Sequence, residues 1–284
     1  MPLFQNSADY QKDKYAQPGK KVFFLTKAII NDIIDNVDKW CFSIRTLSRD
    51  SEVRRRLMEN SLRNKSIIRV FLVIEGILLV LIKVCELLAL GRLTNVIMYL
   101  AVLGNGAVTF FFWYLYGRNS QSKRANKIAL GMAVTMVADL FLTLIDTNWA
   151  LLTGFILFCI VQVIYAMYLG MGKRGAIVRI VLCIAVPIAL YFAGVTDPVT
   201  VIGVIDLVLL LCNAVMAWFS ARDKVSLLFK IGITLFLGCD VSIALRTLTT
   251  GAIHDVAKFM VWIFYVPALV FITLSYAIVQ SPRN

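Results

Sequence analysis

Histidine is almost absent from this chain, which has a single one, His254, among 284 residues. A Ser-His-Asp triad or a metal site built from histidines needs imidazole groups that the sequence does not supply. We therefore expect His254 to be an exposed loop residue and any chemistry to depend on other side chains. Charged residues are also scarce, at 16% against the roughly 25% of soluble domains. This scarcity argues against a soluble protein.

Cysteines are few and scattered. No two of them form a CxxC pair, and each lies on a different predicted element; they are Cys41, Cys85, Cys159, Cys183, Cys212 and Cys239. We expect them to serve as small apolar packing residues rather than as a disulfide framework.

The residues that are abundant are apolar. They make up 60% of the chain, and the mean hydropathy is +0.79, values that indicate an integral membrane protein. The formal net charge of +12 could suggest a nucleic-acid partner. However, the Lys and Arg residues sort by their position between apolar segments, so we expect the bilayer, and not nucleic acid, to be the partner.

Eight segments are long enough to cross a bilayer, which takes about 20 residues of helix. We therefore predict an all-α, polytopic membrane bundle of eight transmembrane helices. The predicted spans are 67–90, 94–116, 126–145, 148–170, 176–194, 198–219, 227–248 and 256–279.

The connections between the spans alternate in charge. The odd ones carry few cations, whereas the even ones are basic, with Arg118, Lys123, Arg124 and Lys127, then Lys173, Arg174 and Arg179, then Arg222, Lys224 and Lys230. Together with the basic N-terminal region and Arg283, this alternation places both termini in the cytosol by the positive-inside rule. We expect a multi-pass protein of the cell membrane.

The N-terminal region, 1–65, is polar and lacks the apolar core and cleavage site of a signal peptide. Apolar residues recur at helical spacing over 22–44, which predicts an amphipathic helix. That helix could lie on the membrane surface, where Arg54, Arg55 and Arg56 would suit anionic head groups, or could dock on the bundle. We divide the chain into this cytosolic region and a transmembrane domain, 66–284.

Carboxyl groups inside the spans are the candidates for function, because an unpartnered charge in hydrocarbon costs several kcal/mol. From the helical rise, Asp139, Asp206 and Asp240 lie about 18–20 Å from the cytosolic face, in one layer. Tyr265 falls close to that layer, and Arg246 lies about one and a half turns above Asp240 as a possible counter-charge. The alternative is three separate polar residues that stabilise helix contacts.

The first span carries a stripe of charges, Glu75, Lys83 and Glu86, on one side of its helix. Lys83 and Glu86 are spaced for an i, i+3 ion pair. We expect this stripe to have a structural role, with substrate contact as the alternative.

Two stretches resemble a known family. The run TMVADLFLTLIDTNWALLTGFILFCIVQVIYAMYL, which begins at Thr135, and the run LFLGCDVSIALRTL, which begins at Leu235, are similar to the motifs of the lysoplasmalogenase (YhhN) family. The positions that fit are Ala138, Asp139, Gly154, Phe158, Tyr165, Asp197, Pro198, Val199, Cys239, Asp240, Ala244 and Tyr265. Gln162 stands where the family has a histidine, and Ala268 where it has a glutamine. The resemblance covers about 126–279.

The resemblance implies hydrolysis of the vinyl ether bond of lysoplasmalogens to a fatty aldehyde and a glycerophospho-base, without metal or cofactor. It implies Asp139 and Asp240 as the catalytic carboxyl groups. The side chains then expected to bind the single-chain lysophospholipid are Asp206, Gln162, Tyr165, Tyr265 and Arg246.

Two other functions stay open at this point. The replacements at Gln162 and Ala268 would suit a non-catalytic lipid-binding or lipid-transporting protein built on the same bundle. A proton-coupled transporter could use the acids as a relay, although the sequence shows neither inverted repeats nor broken helices.

Overall fold

The computed structural model describes residues 51–116, 125–220 and 226–280, and in these ranges the chain consists of helices and short connections. The eight helices are α1 (Ser51–Leu87), α2 (Gly91–Tyr116), α3 (Asn126–Leu144), α4 (Asn148–Leu169), α5 (Lys173–Phe192), α6 (Pro198–Phe219), α7 (Leu227–Leu248) and α8 (Ala252–Gln280). All packing described below lies within the compact unit that begins at Ile68. The predicted amphipathic helix over 22–44 lies outside the described residues, as do the basic connections at 117–124 and 221–225.

Helix ends follow local sequence signals. Asp197 caps α6, because its Oδ2 accepts hydrogen bonds from the backbone N (2.8 Å) and Oγ1 (2.7 Å) of Thr200, and Pro198 follows as a residue preformed for the first turn. These hydrogen bonds hold the pKa of the Asp197 carboxyl below its usual value. At its C-terminus, α4 ends before Gly170, whose φ of 82° lies in the left-handed region that glycine adopts freely.

Six helices close into a ring. Each neighbours the next in the order α2, α3, α4, α6, α7 and α8, and α8 returns to α2. Helix α5 packs on α6 outside the ring, and Arg179 is its one buried residue. Helices α7 and α8 approach each other closely, since a Cβ on Gly232 would lie 2.8 Å from Ile272 and 3.0 Å from the Ala268 carbonyl oxygen. Glycine is therefore required there by packing.

Helix α1 packs on the ring through Phe71, Ile82 and Cys85, which join a core cluster with α2 and α8. Its charges point inward as well. Glu75 is 2% exposed, with its carboxyl against Gly104, and Lys83 Nζ donates to Glu86 Oε2 and to the Phe259 carbonyl oxygen, both at 2.7 Å. The outward face is apolar and comprises Val70, Val73, Ile74, Ile77, Val80, Leu81, Val84 and Leu87.

In the part of the chain that the structure describes, seven helices, α2 to α8, are long and apolar enough to cross a membrane. The prediction of a multi-pass, all-α membrane bundle is confirmed to this extent. The segment predicted as the first span, 67–90, is helical up to Leu87, but it is not one of the seven, because four charged residues, Arg69, Glu75, Lys83 and Glu86, fall inside it. Short connections between the helices lie at 88–90, 145–147, 170–172, 193–197 and 249–251.

Candidate functional site

A cavity of about 610 Å³ lies inside the ring. All six ring helices line it, together with the last turn of α1. Its outer residues include Ala89, Leu90 and Gly91 of the α1–α2 connection and Thr247 at the end of α7. The cavity thus runs from the end of the bundle that carries these connections into its interior. We refer to that end as the mouth.

Three carboxyl groups line the inner part of this cavity: Asp139 of α3, Asp206 of α6 and Asp240 of α7. Asp206 lies eight residues after the start of α6 and Asp240 eight residues before the end of α7, so both are about 12 Å from the mouth. Asp139 and Asp206 are 4% and 3% exposed, and Asp240 is half-buried. The depths counted along the sequence thus correspond to one chamber.

Tyr265 joins this group from α8. Its hydroxyl donates a hydrogen bond to Asp139 Oδ2, in a buried setting. Its ring packs between Phe236 and Trp262, with centroids 5.5 and 5.4 Å away. The aromatic contacts fix the direction of the hydroxyl, and the hydroxyl in turn orients the carboxyl of Asp139.

The remaining two carboxyl groups lack such a donor. Asp206 Oδ1 has no hydrogen-bond partner among the described residues, and Asp206 and Asp240 lie within range of each other's charge. Two carboxyl groups that share a desolvated site do not both ionise readily. The chamber therefore combines a carboxyl group that accepts a phenol hydrogen bond with a pair suited to holding a proton.

The rest of the inner wall is apolar. Leu142, Leu151, Phe155, Phe158 and Phe236 face the cavity near the carboxyl groups. Such a surface accommodates hydrocarbon and excludes water, which strengthens electrostatic interactions inside the chamber.

Arg246 also lines the cavity, nearer to the mouth than Asp240. The described residues show no ion pair between Arg246 and Asp240, and the counter-charge expected from the sequence is not formed. His254 accompanies Arg246, since its Nδ1 lies 2.9 Å from the Arg246 carbonyl oxygen. His254 is in the first turn of α8 and not in a loop.

Gln162 and Tyr165, which the family resemblance implied as lipid-binding residues, do not line this cavity. Tyr165 is fully buried in the core, with its ring edge-on to Phe229 at 5.4 Å and against Gly131. Both residues lie on the side of α4 that packs against other helices.

Gln162 instead belongs to a buried polar chain behind Asp206. Asn213 Nδ2 donates to the carbonyl oxygen (2.8 Å) and Oε1 (3.0 Å) of Gln162, and Arg179 donates to Asn213 Oδ1 at 2.8 Å. The Gln162 side chain faces that of Asp206, although its Nε2 makes no hydrogen bond to a described residue. The chain links α4, α5 and α6 and supports the wall that carries Asp206.

Glu86, Lys258 and Trp262 are cavity residues that the sequence reasoning did not include. A signal for two of them was available, because Lys258 and Trp262 precede Tyr265 by seven and three residues and so share its helix face. For Glu86 the sequence favoured a structural pairing over substrate contact. Among the described residues, no group of three or more His, Cys, Asp or Glu side chains is arranged to hold a metal ion.

A model of the YhhN family matches residues 93–276, which comprise α2 to α7 and most of α8. The match includes every residue of the inner chamber, and it agrees with the resemblance drawn from the two motifs. No curated protein and no solved structure matches the chain.

Proposed function

Because the chain belongs to the YhhN family, which includes lysoplasmalogenases, we propose that it hydrolyses the vinyl ether bond of lysoplasmalogens. The observation that carries this proposal is the chamber in which Asp139, Asp206, Asp240 and Tyr265 meet behind an apolar wall. Carboxyl groups in such a setting suit acid catalysis on a lipid.

The reaction needs a proton and a water molecule. A carboxylic acid protonates the β-carbon of the vinyl ether, and the double-bond electrons form the new C–H bond, which leaves an oxocarbenium ion. Water adds to that cation and gives up a proton, which forms a hemiacetal. The hemiacetal breaks its C–O bond to the glycerol and yields a fatty aldehyde and a glycerophospho-base. The net change is the addition of one water molecule.

We assign the proton donor to Asp240, with Asp206 as the neighbouring carboxyl group that opposes its ionisation. Asp139, which accepts the Tyr265 hydrogen bond, is the carboxylate that stabilises the oxocarbenium ion and orients the water. A preorganised negative charge beside a developing cation lowers the barrier without reorganisation cost. Tyr265 acts through Asp139 as a positioning residue.

The shape of the cavity supports a single-chain substrate. Its outer end is polar and its inner wall apolar, as required by a lipid that has one chain and a hydrated head group. A lysolipid seated with its head at the mouth would bring its ether bond toward the carboxyl groups, which lie about 8–12 Å deep.

We further propose that α1 is an eighth span, so that both termini are cytosolic. Support comes from the orientation of its side chains: Glu75 and Lys83 face the bundle, whereas the outward face over 70–87 is apolar. A charged residue in a membrane helix is tolerated when it faces the protein interior. Labelling of the C-terminus and of the 145–147 loop with an impermeant reagent in intact cells checks this. We expect only the loop to react.

A second candidate is a lipid-binding or lipid-transporting protein that does not cleave its ligand. The observation in its favour is Gln162, which replaces the family histidine and lies behind the cavity wall. In that case lysoplasmalogen would bind in the cavity and be released intact.

Aldehyde release distinguishes the two functions. Purified protein in detergent is mixed with a 1-alkenyl lysophospholipid, and the aldehyde is quantified. We expect turnover by the wild type and a loss of about 10²- to 10⁴-fold in Asp139→Asn and Asp240→Asn. The matched control is Asp146→Asn, an exposed carboxyl in the α3–α4 turn, which should keep full activity. Full activity in either chamber variant would refute the assignment, and binding without turnover by the wild type would favour the carrier.

A further inference from the structure

The mouth of the cavity carries charges of both signs. Arg246 and Lys258 line it from α7 and α8, and Glu86 lines it from the last turn of α1. We call these three residues the charged rim. The hydrolysis of a vinyl ether needs none of them, because they lie outside the carboxyl layer.

The two cations are available for a ligand. Neither Arg246 nor Lys258 forms an ion pair with an acidic side chain among the described residues, and both are exposed at the mouth. Two cations that share one cavity and lack a carboxylate partner are complementary to an anion such as a phosphate. The helices that carry them meet at this end, since His254 of α8 contacts the Arg246 backbone of α7 at 2.9 Å.

Glu86 is fixed beside them. Its Oε2 accepts from Lys83 at 2.7 Å, and Lys83 also bonds the carbonyl oxygen of Phe259, the neighbour of Lys258, at 2.7 Å. Lys83 therefore ties Glu86 to the helix that carries Lys258. The other carboxylate oxygen, Oε1, has no protein donor among the described residues, so it can accept from an ammonium group.

The spacing from rim to carboxyl layer is similar on two helices. Arg246 lies six residues beyond Asp240, which is about 9 Å along α7, and Lys258 lies seven residues before Tyr265, which is about 10.5 Å along α8. In a 1-alkenyl glycerophospholipid, seven covalent bonds separate the phosphorus from the vinyl β-carbon, about 9 Å when extended. A phosphate on the rim would thus place the carbon to be protonated at the carboxyl groups.

We propose that the charged rim binds a zwitterionic phospho-amine head group, with the phosphate on Arg246 and Lys258 and the amine on Glu86. The inference rests on the proposed function for its reacting bond, but it concerns selection of the head group. Substrates with a phosphate but no amine, or with neither, should be bound less well.

The test compares three 1-alkenyl substrates, namely the glycerophosphoethanolamine, the glycerol phosphate without the amine and the plain glycerol. In Arg246→Gln/Lys258→Gln we expect the KM of both phosphate substrates to rise at least about 10-fold, with kcat/KM for the plain glycerol unchanged. Glu86→Gln, which keeps an acceptor for Lys83, should weaken the binding of the amine substrate only. Arg92→Gln, an exposed cation of the same end that does not line the cavity, serves as control.

An equal effect of the rim variants on all three substrates, or no effect on any, would overturn the proposal. A wild type that cleaves none of the substrates would refute the proposed function instead. The rim is then judged by thermal shift with the non-hydrolysable 1-alkyl glycerophosphoethanolamine. Stabilisation that Arg246→Gln/Lys258→Gln abolishes and Arg92→Gln retains supports the head-group site, whereas stabilisation unaffected by the rim variants, or none in the wild type, contradicts it.

Discussion

Replacement of Tyr265 by phenylalanine removes one hydroxyl and almost nothing else. In the wild type that hydroxyl donates to Asp139 Oδ2 in the buried chamber. The phenyl ring can keep the contacts with Phe236 and Trp262, so the shape of the site should survive. The variant loses the hydrogen bond that orients Asp139, the carboxylate that we propose stabilises the oxocarbenium ion.

The size of the effect follows from the hydrogen bond. A hydrogen bond to a charged group contributes about 1.5–3 kcal/mol, which corresponds to a loss of about 10- to 150-fold in kcat if it is realised in the transition state. KM should change little, because Tyr265 contacts Asp139 and not the head group. The assay is aldehyde release under saturating lysoplasmalogen, normalised to folded protein.

Tyr276→Phe is the matched control for this experiment. Tyr276 is fully buried on the same helix and its hydroxyl donates to Asn126 Oδ1 at 3.3 Å, but it does not line the cavity. Removal of the Tyr276 hydroxyl should lower the stability of the protein and leave kcat unchanged. The reasoning is refuted if Tyr265→Phe retains the wild-type kcat, or if both variants lose activity equally.

Three further predictions concern the stability of the bundle. Asn213→Ala should lower the free energy of unfolding by about 3 kcal/mol, because it leaves its two buried polar partners, Arg179 and Gln162, unpaired. Unfolding in mixed micelles measures this change, and a change below about 0.5 kcal/mol would contradict the prediction. Gly232→Ala should lower the free energy of unfolding by about 1–3 kcal/mol, because the added methyl group forces α7 away from α8. Its control is Gly203→Ala, whose Cβ would meet Phe155 at an ordinary 3.8 Å and which should be neutral or stabilising. Equal melting temperatures of the two variants would refute the packing argument. Asp197→Ala should lower the melting temperature at neutral pH. The difference should shrink as the pH falls below the ordinary carboxyl pKa of 3.8, because a carboxyl group with a lowered folded-state pKa stabilises the fold only while it is ionised. A difference that persists in acid would exclude the charge as its source.

Much of the architecture can be predicted from hydropathy alone. Seven of the eight predicted spans correspond to helices long and apolar enough to cross a membrane, since each needs only a sustained apolar run. The segment 67–90 illustrates the weakness of counting charges, because Glu75 and Lys83 lie on its inner face. A count along the chain does not distinguish an inward charge from an outward one.

Depth along a helix can be predicted well, but direction around it cannot. The rise per residue placed Asp139, Asp206 and Asp240 in one layer, and all three line one cavity. The family motif included Gln162 and Tyr165, yet these face the helix packing and not the cavity. Which way a residue points depends on the neighbours of its helix, and these are known only once the ring of six helices is assembled.

The most direct test of the proposed activity is aldehyde release from a 1-alkenyl lysophospholipid by the purified chain, measured beside Asp139→Asn and Asp240→Asn. The proposed mechanism predicts turnover by the wild type and a loss of at least about 10²-fold in each variant. Wild-type protein that binds the lipid and releases no aldehyde, or variants that hydrolyse it at the wild-type rate, would contradict it.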